Sequence, residues 1–334
     1  MFILRDLLRA LQAPFADSKL GRERSLWFIF TLLAVIVPFT SSTSSNLLRS
    51  LQTLFGLDLG RRGFYTFMAS PKLPWPRLWQ LLWHLIPAPT VAGRLLVALD
   101  DSINPKTERQ IFGCGFFHDH TAKLNQSAYP WSQNIVAIGL LKIIKGRWCC
   151  WPLAFRFYCL KKDIEGQKLT TKKSGKTVGF QSKMAQAAEM LNALAAQFLG
   201  TPLLVVTDSW FGNDGLLRPL SQCAFDFRLL SRLRTNTTVY DLPPKRSPKQ
   251  PGRPRKYGER LGSAADLACQ YRDRARSVSV ALYGKQRSVM AYDRIVTSPC
   301  RLGLPAQPVG DFLFDRSRSL CRADHRSLRR KVEN

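Results

Sequence analysis

The chain has 334 residues, of which 45% are hydrophobic and 11% aromatic, and this composition excludes a disordered protein. The 50 Lys and Arg residues outnumber 23 Asp and Glu residues, which gives a formal net charge of +27. Such an excess is hard to keep compact unless a polyanion shares the surface. The charge therefore predicts nucleic acid as the partner, with an anionic membrane surface as the rival.

Residues 1–90 predict an α-helical N-terminal region. The segments "NLLRSLQTLFGL" and "PRLWQLLWHLI" repeat apolar residues at intervals of three and four. The apolar run from Leu26 to Phe39 is too short to span a membrane comfortably, and a run of this length is more often a buried helix. We therefore expect no membrane partner, and a basic membrane-associated protein is the alternative that this run alone favours.

From residue 91 the pattern predicts strands and helices in the order β-β-β-α-β-α-β. The runs "RLLVALDDS", "QNIVAIGLLKI" and "WPLAFRFYCL" are typical of buried strands. The segment "FQSKMAQAAEMLNALAAQFLG" is an amphipathic helix closed by Gly200, and "TPLLVVTDSW", "DGLLRPLSQC" and "AFDFRLLSRLR" predict a strand, a helix and a strand. This order indicates an α/β layer fold. Further on, "SVSVALYGKQRSVMAYDRIV" predicts a hairpin around Tyr283, Gly284 and Lys285.

Acidic residues stand at the ends of two predicted strands. Asp100 and Asp101 end "LLVALDD", and Asp208 ends "LLVVTD". Carboxylates together with substrate phosphates hold Mg²⁺, and two such ions about 4 Å apart can clamp the attacking and leaving oxygens of a phosphodiester. Strand-end aspartates also begin turns or cap helices, and from the residues alone that structural interpretation stays open.

The segment "FFHDHTAK" raises the question of a metal site at His118, Asp119 and His120. A His-x-His pair alternates across a strand or splays on a loop, and no third ligand lies at zinc-like spacing. The eight cysteines include no CxxC pair, so we expect reduced thiols in a cytoplasmic protein. We predict instead that His118 and His120 belong to a polar loop that faces DNA.

The segments around these acids carry a family resemblance. The stretch "LLVALDDSINPKTERQIFGCGFFHDHTAKLNQSAYPWSQNIVAIGLL" closely resembles the first catalytic block of bacterial insertion-sequence transposases of the DDE type, in the group named after insertion sequence four. "TPLLVVTDSWFGNDGLL" resembles their second block. The resemblance runs from about Phe15 to Val296 and is strong after Ala92.

The resemblance implies a ribonuclease-H-like core, a mixed sheet with flanking helices, over residues 91–296. It implies three carboxylates that bind two Mg²⁺ or Mn²⁺ ions, cut double-stranded DNA at transposon ends and join the freed 3′-OH to target DNA. Carried over by position, the first acid is Asp101, because it directly precedes Ser102, with Asp100 as the alternative, and the second acid is Asp208. The resemblance further implies end binding by the helical region, a homodimer on paired ends, and a cytoplasmic protein associated with the nucleoid.

Residues 242–260 form a basic linker rich in Pro, Lys and Arg that cannot build a core. Within it, Gly252-Arg253-Pro254-Arg255 resembles an AT-hook, whose arginines enter a narrow A·T minor groove. A solvated basic linker is the alternative. Under either interpretation we expect Arg253, Arg255 and Lys256 to contact DNA phosphates.

Residues 297–334 lack the apolar patterning of the preceding segments. We expect them to form a disordered tail that is translated out of the original reading frame. The family's third acid follows the pattern Tyr, two residues, Arg, three residues, Glu, whereas Glu333 is the only Glu in the tail and no Tyr precedes it at that spacing. Ser327 to Asn334 can be back-translated so that a shift of one nucleotide reads Val-Tyr-Gly-Ala-Lys-Trp-Lys-Ile and then Asp or Glu. This hidden block predicts a frameshift near Thr297, loss of the third acid, and little or no strand cleavage by the chain as written.

Overall fold

A computed structural model of the chain describes residues 9–36, 43–70, 73–109, 111–166, 179–223, 225–231, 236–241, 244, 251–252, 255, 257–271, 274, 276–282, 285–292 and 312–314. Contacts divide the chain into two compact units. One comprises residues 1–88 and 162–179, and the other comprises residues 89–161 and 180–334.

The described residues of the first unit include the helices α1 to α4, in agreement with the predicted helical character. They span Lys19–Ile36, Ser44–Phe55, Arg61–Met68 and Trp75–Leu85. Helix α2 ends at Gly56, whose φ of 62° is the left-handed conformation that glycine adopts without a steric penalty. A buried apolar cluster joins α1, α2 and α3. Its members include Ala34, Leu47, Leu51, Phe64 and Phe67.

Helix α1 contains most of the apolar run that raised the membrane alternative. Ile29, Leu33 and Ala34 are buried within the protein, as the prediction of a buried helix requires. The end of that run, residues 37–39, lies outside the described residues. Among the helices that the structure describes, none is long and apolar enough to cross a membrane.

The second unit is built on a six-stranded mixed sheet. Its strands β1 to β6 span Leu95–Pro105, Cys114–Phe116, Trp131–Ile144, Arg147–Tyr158, Leu203–Thr207 and Phe227–Ser231. The order is β2-β3-β1-β5-β6, and β4 also pairs with β3. Strand β1 runs antiparallel to β3 and parallel to β5, which in turn runs parallel to β6. This topology confirms the predicted α/β class and is consistent with a ribonuclease-H-like nuclease fold.

Helices α5, α6 and α7 span Lys161–Glu165, Lys183–Gln197 and Asp214–Ser221. Helix α6 begins where the Ser182 hydroxyl accepts a hydrogen bond from the N–H of Ala185 at 3.2 Å, which caps the helix. Its apolar face includes Ala187, Leu191 and Leu194, all fully buried, and it packs on β3, β4 and α7. The predicted helix is thereby confirmed, but it ends at Gln197 with Phe198 as its C-cap, so its predicted closure by Gly200 is wrong.

Short elements follow the sheet. They are β7 (Thr238–Tyr240), β8 (Arg260–Ser263), α8 (Ala264–Gln270), β9 (Arg276–Leu282), β10 (Lys285–Tyr292) and β11 (Phe312–Phe314). Strands β9 and β10 pair from Leu282 and Lys285 onward, which confirms the predicted hairpin, although its turn residues 283 and 284 lie outside the described residues. Strand β11 pairs with β10. The rest of the tail, 297–311 and 315–334, is not described, and its predicted disorder stays a prediction there.

One of the cysteines that the structure describes differs from expectation. Cys114, Cys149, Cys150, Cys159 and Cys223 carry free thiols, as predicted. Cys269 is disulfide-bonded, so the prediction of reduced thiols is wrong there. Sequence spacing does not report which cysteines meet in space, and this is why the prediction failed.

Candidate active site

The two segments that contain the predicted catalytic acids form neighbouring parallel strands, β1 and β5. Leu99 of β1 and Thr207 of β5 are the last register pair, so Asp100, still within β1, and Asp208, the first residue after β5, are the next residues of the two segments. Side chains alternate between the two faces of a sheet. Asp100 therefore shares a face with Ala98, and β5 continued by one residue places Asp208 on that face with Val206.

The pKa of the Asp100 carboxyl is shifted by burial and by the neighbouring charged groups. Partial burial raises the pKa of the Asp100 carboxyl above its usual range, although the side chain still reaches solvent. The Asp101 N–H, which donates to Asp100 Oδ1 at 2.8 Å, lowers that pKa, the carboxylates of Asp208 and Asp101 raise it, and the Lys183 ammonium lowers it. Negative charge is thus concentrated at this end of β1.

Asp208 is held by the turn that follows β5. Its Oδ1 accepts hydrogen bonds from the N–H groups of Trp210 at 2.9 Å and Phe211 at 3.1 Å. The Ser231 hydroxyl at the end of β6 donates to the Asp208 carbonyl at 2.7 Å, and Phe211 is fully buried below the turn. The turn therefore fixes one carboxylate oxygen and leaves Oδ2 outside these hydrogen bonds.

Asp101 lies on the opposite face of β1, with Val97 and Leu99. Its Oδ2 accepts from Lys183 Nζ at 2.6 Å and from Asn134 Nδ2 at 3.2 Å. Only 25% of the Asp101 side chain and 16% of the Lys183 side chain are exposed. The strand register places Asp100 beside Asp208, and the effect of the Asp208 carboxylate on the pKa of Asp100 agrees with this proximity. Asp101 is instead engaged by a lysine and an amide.

The two histidines lie together in the exposed loop between β2 and β3. The ring centroids of His118 and His120 are 4.3 Å apart, and Tyr129 lies 5.0 Å from His118. The Asp119 carboxylate accepts from the Thr121 hydroxyl and N–H, and these hydrogen bonds lower its pKa. No group of three or more His, Cys, Asp or Glu residues that could hold a metal occurs in the described part of the chain.

Of the linker residues predicted to contact DNA, Arg255 is described and exposed. Arg253 and Lys256 lie outside the described residues. Their contact with DNA stays a prediction, as does that of His118 and His120.

Sequence reasoning missed two residues of this site, Lys183 and Asn134. Asn134 is buried in β3 and pairs with Ile103, two register positions from the pair of Asp101 with Val136, so it lies on the same face as Asp101. Lys183 carried a detectable signal, because a lysine directly after a helix N-cap opposes the positive end of the helix dipole. Such a lysine needs a negative partner, although the sequence does not say which one.

Comparison with known proteins gives a family. Residues 17–289, most of the chain, match the family model described as DDE superfamily endonuclease. A solved structure described as a cryo-EM structure of the piggyBac transposase synaptic complex with hairpin DNA is similar at 13% identity, with a TM-score of 0.34. That match covers 89% of this chain and 52% of the other, so this chain spans about half the length of that relative. No curated protein matches.

Proposed function

The chain belongs to the DDE superfamily endonucleases, and we propose that it is the transposase of a bacterial insertion sequence. In this proposal it descends from enzymes that cut and join DNA strands at transposon ends. The observation that carries the proposal is the pair of acids, Asp100 and Asp208, which follow the last register pair of two parallel strands. Carboxylates on rigid strand ends are what a metal-dependent phosphoryl transfer requires.

Asp100 and Asp208 are the residues proposed to hold a divalent cation, Mg²⁺ or Mn²⁺, with two ions in an intact site. The fit is supported by the surroundings of Asp100, because partial burial, and after it the carboxylates of Asp208 and Asp101, raise its pKa, whereas a cation would favour its charged form. When bound, such ions polarise phosphoryl oxygens and stabilise the charge that develops in an in-line displacement. Asp101 is the alternative first acid, and its ion pair with Lys183 argues against that role.

The residues of this chain contribute position and charge to that chemistry. The Trp210 and Phe211 amides fix the orientation of the Asp208 carboxylate. The sheet fixes Asp100, which pairs with Ala137 of β3 directly after the last register pair of β1 with β5. Because both groups are set before substrate arrives, little reorganisation is needed when a scissile phosphate binds.

Catalysis by this chain as written is proposed to be weak or absent. Residues 297–334 contain no match to the family's third acid block, and a site that lacks one ligand loses both charge and geometry. The proposed cause is a frameshift near Thr297, supported by the third block that back-translation recovers one nucleotide over. The nucleotide sequence of the gene decides this, since no open transposase frame at that point would contradict it.

A pair of cleavage assays tests the function. The chain as written and the product of the frame restored by one nucleotide are incubated with transposon-end DNA and Mg²⁺ or Mn²⁺. We expect nicking and joining by the restored product, loss of both in its Asp208→Ala variant, and little cleavage by the chain as written. Cleavage by the written chain that Asp208→Ala abolishes would refute the proposed inactivity, and an inert restored product would contradict the enzyme function.

A noncatalytic DNA-binding protein that occupies transposon ends is the second candidate. The net charge of +27 favours it, because phosphate neutralisation gives affinity without any catalytic group. In this proposal His118, His120, Arg253, Arg255 and Lys256 contact double-stranded DNA, and the helical N-terminal region contacts the ends. Its partners would be transposon-end DNA and target DNA, and two copies of the chain would form a homodimer on paired ends. The protein would act in the cytoplasm, associated with the nucleoid. Tight end binding without metal-dependent nicking by either product would favour it.

A further inference from the structure

Lys183 occupies an electrostatically unfavourable position in the second unit. It is the first residue of α6, directly after the N-cap Ser182, and the first turn of this helix contains no acidic residue. The N-terminus of a helix carries a partial positive charge, so a cation there is destabilising unless a negative group compensates it. The surroundings of Lys183 should therefore explain why a lysine stands there.

Three groups from different elements surround the ammonium. Lys183 Nζ lies 2.6 Å from Asp101 Oδ2, 5.1 Å from the centre of the Tyr158 ring and 5.2 Å from that of the Trp210 ring. With 16% of the side chain exposed, the charge is largely withdrawn from water, which is unfavourable unless the charge is paired. The carboxylate and the faces of the two rings provide that pairing.

These contacts join strand β1 to the turn that carries Asp208. Asp101 belongs to β1, Tyr158 ends β4, and Trp210 lies in the turn after β5. The Trp210 N–H is donated to Asp208 Oδ1, so the ring that Lys183 contacts and the carboxylate belong to the same short turn. A displacement of the Trp210 ring would therefore move a hydrogen-bond donor of Asp208.

We propose that Lys183 is a positioning residue that holds the Asp208 turn against β1 and so sets the placement of Asp208 beside Asp100. Its importance for catalysis rests on the proposed function of the two acids, but the positioning itself does not. The simpler alternative is an ion pair that only fastens α6 to β1. Under that alternative the Asp208 turn would not respond to loss of the ammonium.

Amide hydrogen exchange of the metal-free full chain distinguishes the two. The variants are Lys183→Met, which keeps the apolar stem, Lys183→Arg, which keeps the charge, and Lys145→Met, an equal charge loss at the exposed β3–β4 turn. We expect about tenfold faster exchange at the Trp210 and Phe211 amides in Lys183→Met, partial restoration in Lys183→Arg, and wild-type exchange in Lys145→Met. Unchanged exchange at these amides, or a uniform acceleration over the whole second unit, would overturn the proposal.

Asp101→Asn provides a second variant should Lys183→Met fail to fold. It removes the carboxylate charge and leaves the lysine over the two rings, so we expect a smaller but local acceleration at Trp210 and Phe211. Wild-type exchange there would overturn the proposal in the same way.

Mn²⁺ binding, followed by electron paramagnetic resonance, separates this inference from the proposed function. Loss of groups that orient metal ligands commonly costs about 10- to 100-fold in affinity. We expect Lys183→Met to bind Mn²⁺ about 10-fold more weakly than wild type, because displacement of Asp208 outweighs the attraction gained by removing a neighbouring positive charge. Wild-type protein that binds no Mn²⁺ while Lys183→Met loosens the turn contradicts the metal function and supports the positioning role. If Lys183→Met and wild type bind Mn²⁺ equally well and exchange the Trp210 and Phe211 amides at the same rate, the positioning role is contradicted and the metal function is not.

Discussion

Asp100 and Asp208 extend two neighbouring parallel strands from the same level, because Leu99 and Thr207 form the last register pair of β1 and β5. Like charges so placed oppose ionisation, and the raised pKa of Asp100 records part of that opposition. A divalent cation would reverse it, since both carboxylates would then favour their charged form. In the proposed function, a bound cation would therefore offset the repulsion between the two carboxylates.

The first prediction concerns stability without metal. The pKa of Asp100 is raised in the folded state, so folding is favoured while the carboxyl is protonated, and this advantage is lost as pH rises through the folded pKa. At neutral pH, Asp100→Asn should therefore raise the free energy of unfolding, by no more than about 0.5 kcal/mol at this solvent-accessible position. Urea unfolding at neutral and acidic pH measures it, and the gain should shrink at acidic pH. Asp58→Asn, at an exposed site in the first unit, is the control.

A second prediction concerns Gly212, which follows the Asp208 turn. A Cβ at this position would collide with the side chain of Ser231, whose hydroxyl donates to the Asp208 carbonyl. Gly212→Ala should cost about 1–3 kcal/mol of stability and weaken Mn²⁺ binding together. Gly60→Ala is a suitable control, because a Cβ there meets open space. Wild-type stability and wild-type Mn²⁺ affinity in Gly212→Ala would show that the turn tolerates this displacement.

A third prediction concerns the basic linker. If Arg255 contacts a phosphate, Arg255→Ala should weaken binding to all DNA sequences alike and lower the slope of log K against log salt by about 1. Fluorescence anisotropy with transposon-end and unrelated duplexes at several salt concentrations measures this. Arg147→Ala, the same charge loss at the exposed first residue of β4, should leave the slope unchanged. Equal slopes in wild type and Arg255→Ala would exclude the phosphate contact.

The α/β class and the chain order of the longer strands and helices could be predicted because apolar runs and one amphipathic helix carry clear periodicities, whereas the short strand β2 and the short helix α5 were missed. The choice between Asp100 and Asp101 could not be decided in the same way. Period-two alternation places them on opposite faces, but only the register of β1 with β5 says which face Asp208 shares. The adjacent Ser102 favoured Asp101, whereas the Lys183 ion pair is a contact between residues far apart in sequence, which periodicity does not report. The disulfide at Cys269 was hidden for the same reason.

Mn²⁺ binding by three single variants tests the central claim most directly. Wild-type protein, Asp100→Asn, Asp208→Asn and Asp101→Asn are titrated with Mn²⁺ at neutral pH and followed by electron paramagnetic resonance, with folding checked by circular dichroism. We predict that wild type binds, that Asp100→Asn and Asp208→Asn each lose binding, and that Asp101→Asn retains measurable binding. Binding that survives in Asp208→Asn, or that depends on Asp101 and not on Asp100, would contradict the account.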